Sequence, residues 1–482
     1  MKSFTSLSIA ILVVALIQGC IKNKGNYQYS DINELSIKNT LPDTFTVLIQ
    51  DTLRIDLEME QTIPNKSGLA YDWVMYPGNS AEYRIQVGKS SNVKFYITEE
   101  PKVYDLDLFV TDKDNNVSFY KKFYVKVTSI YNQGWLVMEE ENGHNDIAII
   151  KPDNTVEHGL YSKSNGGVYL PAGEGMVRVF SRRTEQVIYF LSQNDGIQVS
   201  PGNFVKNATL KDWFFLDPGP IRPLEIFTQS TEEHFLTREK AYGNNLNSPA
   251  PYRFGLATPG DYFLAPYQIS SSGMFVFYDT VARRFWFRAP GNGDFPLSAL
   301  SSSNNNNAPW NMNDIGKRIL YASMSTGNTG WTALFESLQR DSMFIVRGQA
   351  AGSSSYIQTV DTLAGGHPMQ TSNRYLAARL VPHIYYVVGN QLYLYDIPAK
   401  ASRLVYSFPA GADVRSMKWY NNVKSSSDPD NYRLMMVATQ EGAEGKVYFF
   451  PVDLTGDFTG GSYRNVFGGF GQIRDVTYKN TP

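Results

Sequence analysis

Met274-Phe275-Val276-Phe277-Tyr278-Asp279 returns, four residues later, as Arg284-Phe285-Trp286-Phe287. Both runs are short, aromatic and β-branched, and a break separates them, which is the pattern of paired strands. The unit recurs from Gly134 onward. It is met as Asp146 to Ile150 with a turn at Lys151 to Asn154, and as Val187 to Leu191 with Asn194-Asp195-Gly196. Further instances are Thr332 to Phe335 with Met343 to Val346, Gln391 to Asp396 with Leu404 to Phe408, and Val447 to Phe450. The spacing is irregular, so no fixed period exists. Read as the paired outer strands of propeller blades of about 40 to 50 residues, the units predict a β-propeller of about seven blades over 134–482. A long all-β stretch must hide its strand edges, and radial packing does so.

Upstream, the runs Phe45 to Ile49, Leu53 to Leu57, Tyr71 to Met75, Val93 to Ile97, Tyr104 to Val110 and Phe119 to Val127 mostly alternate apolar with polar residues. That is the period of half-buried strands. Asp112-Lys113-Asp114-Asn115-Asn116 punctuates the last pair as a hairpin loop. The stretch 40–130 is therefore read as one immunoglobulin-like β-sandwich of about seven strands, with Trp73 in its core. The whole chain is expected to be all-β.

The N-terminus has a different character. Lys2 precedes an apolar run, Ile9 to Ile17, of nine residues. A bilayer span needs about 20, so residues 1–19 read as a secretory signal. Ile17-Gln18-Gly19-Cys20 resembles a lipobox, in which only a thiol can take the diacylglycerol and only a small residue can precede it. Cys20 is the single cysteine of the 482 residues, so it is assigned to lipidation and no disulfide is available to the mature chain. Residues 20–39, polar and Gly-containing at their start, read as anchor and tether.

Removal of residues 1–19 leaves 43 basic and 46 acidic residues, a formal charge of −3, which gives no footprint for a nucleic acid. The 31 Tyr and 28 Phe favour strands over helices, and 38 Gly with 24 Pro suit many short strands joined by turns.

Chemistry is sparse. The five histidines, His144, His158, His234, His367 and His383, show no ligand spacing, so no metal and no cofactor is expected. His383 reads as a structural residue of an apolar strand, and His144 as part of a solvated turn at Asn142-Gly143. Asp112 to Asn116 begins like a calcium loop, but the sixth position is Val117 and the twelfth Phe123, so the hairpin reading is preferred. Gly88-Lys89-Ser90 lacks the upstream glycine of a phosphate loop, Tyr83 standing there. No Gly-x-Ser-x-Gly elbow is present, and with Cys20 lipidated no Cys-His nucleophile can form. No catalytic residue is assigned. The remaining candidates are ligand contacts: Trp310, inside the amide-rich loop Ser301 to Asp314, and Trp331, after Gly327-Asn328-Thr329-Gly330. Trp73, Trp213 and Trp286 read as core.

One family resemblance spans both parts of the chain. Cys20, Lys24-Gly25-Asn26-Tyr27-x-Tyr29, Asn33-Glu34, Tyr71-x-Trp73 and Gly134-Trp135-Leu136-Val137 together resemble the PKD-like lipoproteins of the Bacteroidota, with Asn23 where that family usually has Asp. The resemblance implies an outer-membrane, lipid-anchored accessory of a nutrient-uptake system of the starch-utilisation type. Its partners would be a TonB-dependent transporter and that transporter's solute-binding lipoprotein, and its ligand an oligosaccharide or peptide. Surface display is expected, although Ile21-Lys22-Asn23-Lys24 carries none of the acids of a surface-export signal. The alternative is a cell-surface hydrolase or lyase with two carboxylates on the propeller face.

Overall fold

The computed structural model describes residues 32–64, 67–77, 84–182, 185–229, 232–271, 274–288, 296–300, 308–327, 329–351, 354–363 and 365–481. The signal segment 1–19, Cys20 and residues 301–307 of the amide-rich loop lie outside them. Among the described residues no helix is long and apolar enough to cross a membrane. The chain divides into two compact units. The first holds 32–47, Asp51–Ile97 and Val103–Lys126, and the second holds Leu48–Gln50, Thr98–Lys102 and everything from Val127.

In the first unit the alternating runs become a five-stranded sheet, antiparallel from Ser118–Thr128 to Ile85–Gly88. Its order is Thr44–Leu48, Ser118–Thr128, Val103–Asp112, Leu69–Pro77, Ile85–Gly88. Thr52–Asp56 pairs separately with Asn92–Tyr96. The apolar phase of each run points inward, so Trp73, Leu106, Leu108, Val110, Phe123 and Val125 are all buried. The Trp73 indole donates to the Ser90 carbonyl at 3.0 Å. Asp112 to Asn116 is a hairpin turn: one Asp112 carboxylate oxygen accepts the Asp114 N–H at 2.8 Å and the other accepts Asn33 at 2.8 Å. The tether reading extends too far. Leu35–Ile37, inside 20–39, pairs with Met59–Gln61, and buried Asn33 holds both Asp112 and the Ile63 N–H. Three-residue strands carry too little alternation to be seen in the sequence.

The second unit contains seven antiparallel sheets among the described residues. From the inside outward, blade 1 is Gln472–Lys479, Gly134–Glu141, His144–Ile150 and Val156–Glu157, and blade 2 is Gly175–Ser181, Gln186–Ser192, Gly196–Val199 and Lys206–Thr209. Blade 3 is Glu225–Gln229, Glu232–Leu236 and Ala241–Asn245; blade 4 is Leu264–Ser271, Met274–Asp279 and Arg284–Arg288. Blade 5 is Arg318–Met324, Gly330–Glu336, Met343–Ala351 and Ser354–Leu363, and blade 6 is Tyr375–Ala377, His383–Val388, Gln391–Asp396 and Ala401–Ser407. Blade 7 is Asp413–Trp419, Leu434–Glu441, Glu444–Pro451 and Asn465–Phe470.

Seven apolar clusters join each sheet to the next, and the last joins blade 7 back to blade 1 through Met436, Phe449, Trp135 and Val476. The sheets thus form a closed ring, a seven-bladed propeller. Within blade 1 the two faces of one strand serve different neighbours: Leu136 and Met138 pack with blade 2, Trp135 and Val137 with blade 7. This explains the uninterrupted apolar runs of the sequence, because strands buried on both faces have no polar phase. It also corrects the expected position of some of those runs. Met274–Asp279 with Arg284–Arg288 and Gln391–Asp396 with Ala401–Ser407 are outer pairs as read, whereas Gln186–Ser192 with Gly196–Val199 and Gly330–Glu336 with Met343–Ala351 are the central strands of their sheets.

Ring closure rests on Gln472–Lys479, which pairs antiparallel with Gly134–Glu141 from the other end of the propeller. At the end of this seam Gly134 (φ +151°) stands opposite Lys479; a Cβ there would lie 2.5 Å from the Ile150 carbonyl oxygen. The Lys479 side chain is fully buried, and its amine donates to the Asn132 carbonyl at 2.9 Å. Burial pushes this amine down to about 7, against the attraction of Glu100, whose own carboxyl burial pushes up. Between pH 7 and the ordinary lysine range the unfolded chain therefore holds more protons than the folded one, and stability rises with pH. Denaturant unfolding from pH 7 to 9.5 is expected to show the parent gaining on Lys479→Met by up to about 1.4 kcal/mol per pH unit; a constant gap between the two would refute the assignment.

Candidate functional site

Four charges of the innermost strands form one network across adjacent blades. Arg178 of blade 2 donates through Nε and Nη2 to the two oxygens of Glu225 of blade 3, both at 2.6 Å. Its Nη1 reaches Asp475 of blade 1 at 2.5 Å, and the other Asp475 oxygen accepts Lys418 of blade 7 at 2.8 Å. Four consecutive blades are linked in this way by one charge each. Burial opposes ionisation of Asp475, yet Lys418 and Arg178 hold its carboxyl below the usual range. Burial lowers the Lys418 amine, while the Arg178 guanidinium is raised against burial by its two carboxylates.

The other three innermost strands each contribute a tyrosine. Tyr267, Tyr321 and Tyr375, on or at the start of the innermost strands of blades 4, 5 and 6, stand with ring centroids 6.0 and 6.2 Å apart in succession. Their hydroxyls donate inward, Tyr267 to the Leu320 carbonyl at 2.6 Å, Tyr321 to Ser323 at 2.7 Å and Tyr375 to the Ser372 carbonyl at 2.7 Å. Burial pushes Tyr267 and Tyr375 up to about 12. The axial lining is thus charged on one side and aromatic on the other.

A cavity of about 910 Å³ opens beside the charged side, between blades 2 and 3. Its inner wall is Gly175 and Met176, whose sulfur lies 3.4 Å from Arg178 Nη2. Its rim is made by Leu191 to Gln193 and Thr237 to Lys240, the turns between second and third strands, and by the connection Pro218 to Leu224. Three prolines stiffen that connection. Arg222, Arg238, Lys240, Glu174, Glu239 and Tyr242 also line the cavity. A cavity of about 570 Å³ at the join of blades 7 and 1, lined by Glu140, Arg415 and Gln440 among others, opens through the corresponding turns.

A second buried network lies in blades 3 and 4. His234 contacts Gln268 through Nδ1 at 3.0 Å and Arg288 through Nε2 at 2.7 Å, and Arg288 also pairs with Glu232. Burial, chiefly, lowers His234, so it is neutral, with Nδ1 donating to Gln268 and Nε2 accepting from Arg288.

The two tryptophans singled out in the sequence occupy one core. Trp331 is entirely buried with Phe285 and Val346, and its ring lies against Gly348, where a Cβ would stand 2.1 Å away. It presents no face to a ligand, because its strand is the second of blade 5 and packs on both sides. Trp310 is half-buried, edge-on to Phe344 at 5.0 Å and beneath the Lys317 amine at 5.7 Å. Trp73 is in its core as expected. Trp213 is buried too, but at the end of a short 3₁₀ turn, Leu210–Trp213, and not in a strand. Trp286 is half-buried under the Arg284 guanidinium. His144 flanks the Asn142-Gly143 turn, both of whose residues have positive φ, and stacks on Tyr169 at 5.0 Å; His383 is buried 3.7 Å from Asp396. Among the described residues no group of three His, Cys, Asp or Glu side chains is placed to hold a metal.

The sequence reading missed Arg178, Glu225, Lys418 and Asp475. The one available signal was the lone charge inside the apolar run Val177-Arg178-Val179; Asp475 follows Arg474 and Lys418 shares its strand with Asp413 and Arg415.

With this geometry in place the chain can be compared with known proteins. Residues 20–170 match the PKD-like family. No curated protein matches the chain. Among solved structures it is similar to a quinonprotein alcohol dehydrogenase-like protein from Bacteroides thetaiotaomicron, at 12% identity over 92% of this chain and 99% of that one, with a TM-score of 0.45. A protein from Lactobacillus plantarum aligns at 10% identity over 72% and 99%, with a TM-score of 0.44. A DUF4784 family protein from Bacteroides caccae aligns at 10% identity over 93% and 98%, with a TM-score of 0.33.

Arg178→Ala strands the enclosed Glu225 carboxylate and leaves Asp475 with Lys418 alone, and is expected to cost about 3–5 kcal/mol. Trp331→Ala, which opens a core cavity, is expected to cost about 3–5 kcal/mol. Equilibrium denaturation reads both values, and a loss below about 1 kcal/mol at either position would overturn the role given to that side chain.

Proposed function

We propose that this chain is a non-catalytic, lipid-anchored accessory protein of the outer membrane, acting beside a TonB-dependent transporter and its solute-binding lipoprotein, and holding a glycan or peptide on the propeller or scaffolding the transporter pair. The observation that carries the reading is the lining of the 910 Å³ cavity: stiff prolines, aliphatic walls, one tyrosine and a rim of mixed charge. Such a lining selects and orients a ligand. The carboxylates nearest to it on the axis, Glu225 and Asp475, are each locked to a base. A hydrolytic pair needs one carboxyl free to carry a proton, and both of these are committed to ion pairs. The lipid anchor at Cys20 and the uptake role rest on the lipobox and on the resemblance of the N-terminal segments.

The test is a pull-down of the tagged full-length protein from outer membranes, with mass spectrometry of the co-purifying proteins and small molecules. Recovery of a transporter pair together with sugars or peptides is expected. Recovery of the protein alone would sink the uptake-complex reading.

A further inference from the structure

The outer face of the five-stranded sheet in the first unit breaks the rule its inner face obeys. Outward positions of a sandwich are ordinarily polar. Here they hold a row of exposed rings: Phe109 is 38% exposed, Tyr120 52% and Tyr124 39%. Phe109 and Tyr120 are directly opposite on adjacent strands, with ring centroids 5.2 Å apart. Tyr124 lies four residues along the strand from Tyr120, about 13 Å away.

These rings are fixed rather than loose. The Tyr120 hydroxyl donates to Asp107 at 3.1 Å, and the Tyr76 hydroxyl donates to the other oxygen of the same carboxylate. Beside Tyr124, opposite it in register, Asp105 pairs with Lys122 at 2.9 Å, and the Lys122 amine stands 5.9 Å from the Tyr124 ring. Hydrogen-bonding groups therefore alternate with aromatic faces along a straight strip, and little side-chain entropy remains to be lost on binding.

We propose that this strip is a docking platform for a neutral polysaccharide chain. Aromatic faces take the apolar C–H faces of pyranose rings, and the Asp105–Lys122 pair between the two aromatic stations offers both an acceptor and donors to hydroxyl groups. Lys122 pairs with Asp105 and the Asp107 carboxylate is occupied by two tyrosine hydroxyls, so the strip offers an acidic polymer no attraction. A protein partner would need about 800 Å² of matched surface, far more than three rings, whereas an extended glycan needs only the strip. The platform belongs to the first unit and is independent of the propeller cavity, so either can fail without the other.

Affinity electrophoresis of the full chain through gels containing amylopectin, xylan, galactomannan or mixed-linkage β-glucan, with polygalacturonate as the charged comparison, tests this. Retardation by at least one neutral polymer is expected, insensitive to added salt. Tyr120→Ala with Tyr124→Ala should weaken it about tenfold with an unchanged melting transition. Arg238→Ala with Lys240→Ala in the propeller cavity should leave it unaltered. Absence of retardation by every neutral polymer, retardation that survives the double tyrosine substitution, or retardation by polygalacturonate alone would each overturn the platform.

Discussion

The pairing of Gln472–Lys479 with Gly134–Glu141 is the constraint on which the second unit depends. Each of the other blades is built from neighbouring sequence, and hairpin follows hairpin. Blade 1 alone takes its innermost strand from the far end of the propeller. Without that strand, Trp135, Val137, Ile473 and Val476 could not complete the cluster that joins blade 7 to blade 1, and the inner edge of Gly134–Glu141 would present unpaired backbone groups. The same strand carries Asp475, so the closure that seals the ring also supplies the anion that Arg178 and Lys418 share. Structural closure and the polarity of the axis are set by one element.

The axial lining is a consequence of geometry as much as of chemistry. Innermost strands converge, so any long side chain there meets its counterpart from the next blade. Opposite charges on adjacent strands can remain ionised in such a place only because each finds a partner. The tyrosines of blades 4 to 6 solve the same problem without charge, pointing hydroxyls at carbonyl or side-chain oxygens. Ligand-accessible variation is left to the turns and connections at the rim. There the prolines of 218–223 and the charges of 238–240 can change without disturbing the ring.

Much of the fold was legible in the sequence because burial on two faces leaves a local mark. Ile147–Ile150 and Val187–Leu191 are wholly apolar, and sandwich strands such as Ser118–Thr128 alternate. Strands such as Leu35–Ile37 and Val156–Glu157 are too short to show a period, and only their partners define them. The candidate site was much less legible. Arg178 and Asp475 are 297 residues apart in the chain, and no window of periodicity relates them. Trp331 drew attention because it follows a Gly-rich turn, yet a tryptophan just after a turn is as readily the first core residue of the next strand, and here it is. Trp310 lies in a loop as read, but the loop packs it against Phe335 and Phe344.

The closing strand also sets an order of events. Residues 134–150 are synthesised before any other part of the propeller, yet the strand that completes their sheet follows the last strand of blade 7. Hairpins can form as they emerge, since their contacts are local, but the ring cannot close until residues 472–479 arrive. A chain threaded through a membrane from its N-terminus would therefore carry an incomplete first blade, with an open edge, throughout its passage. Assembly of the ring is thus completed by the strand made last, whatever the order in which the other blades form.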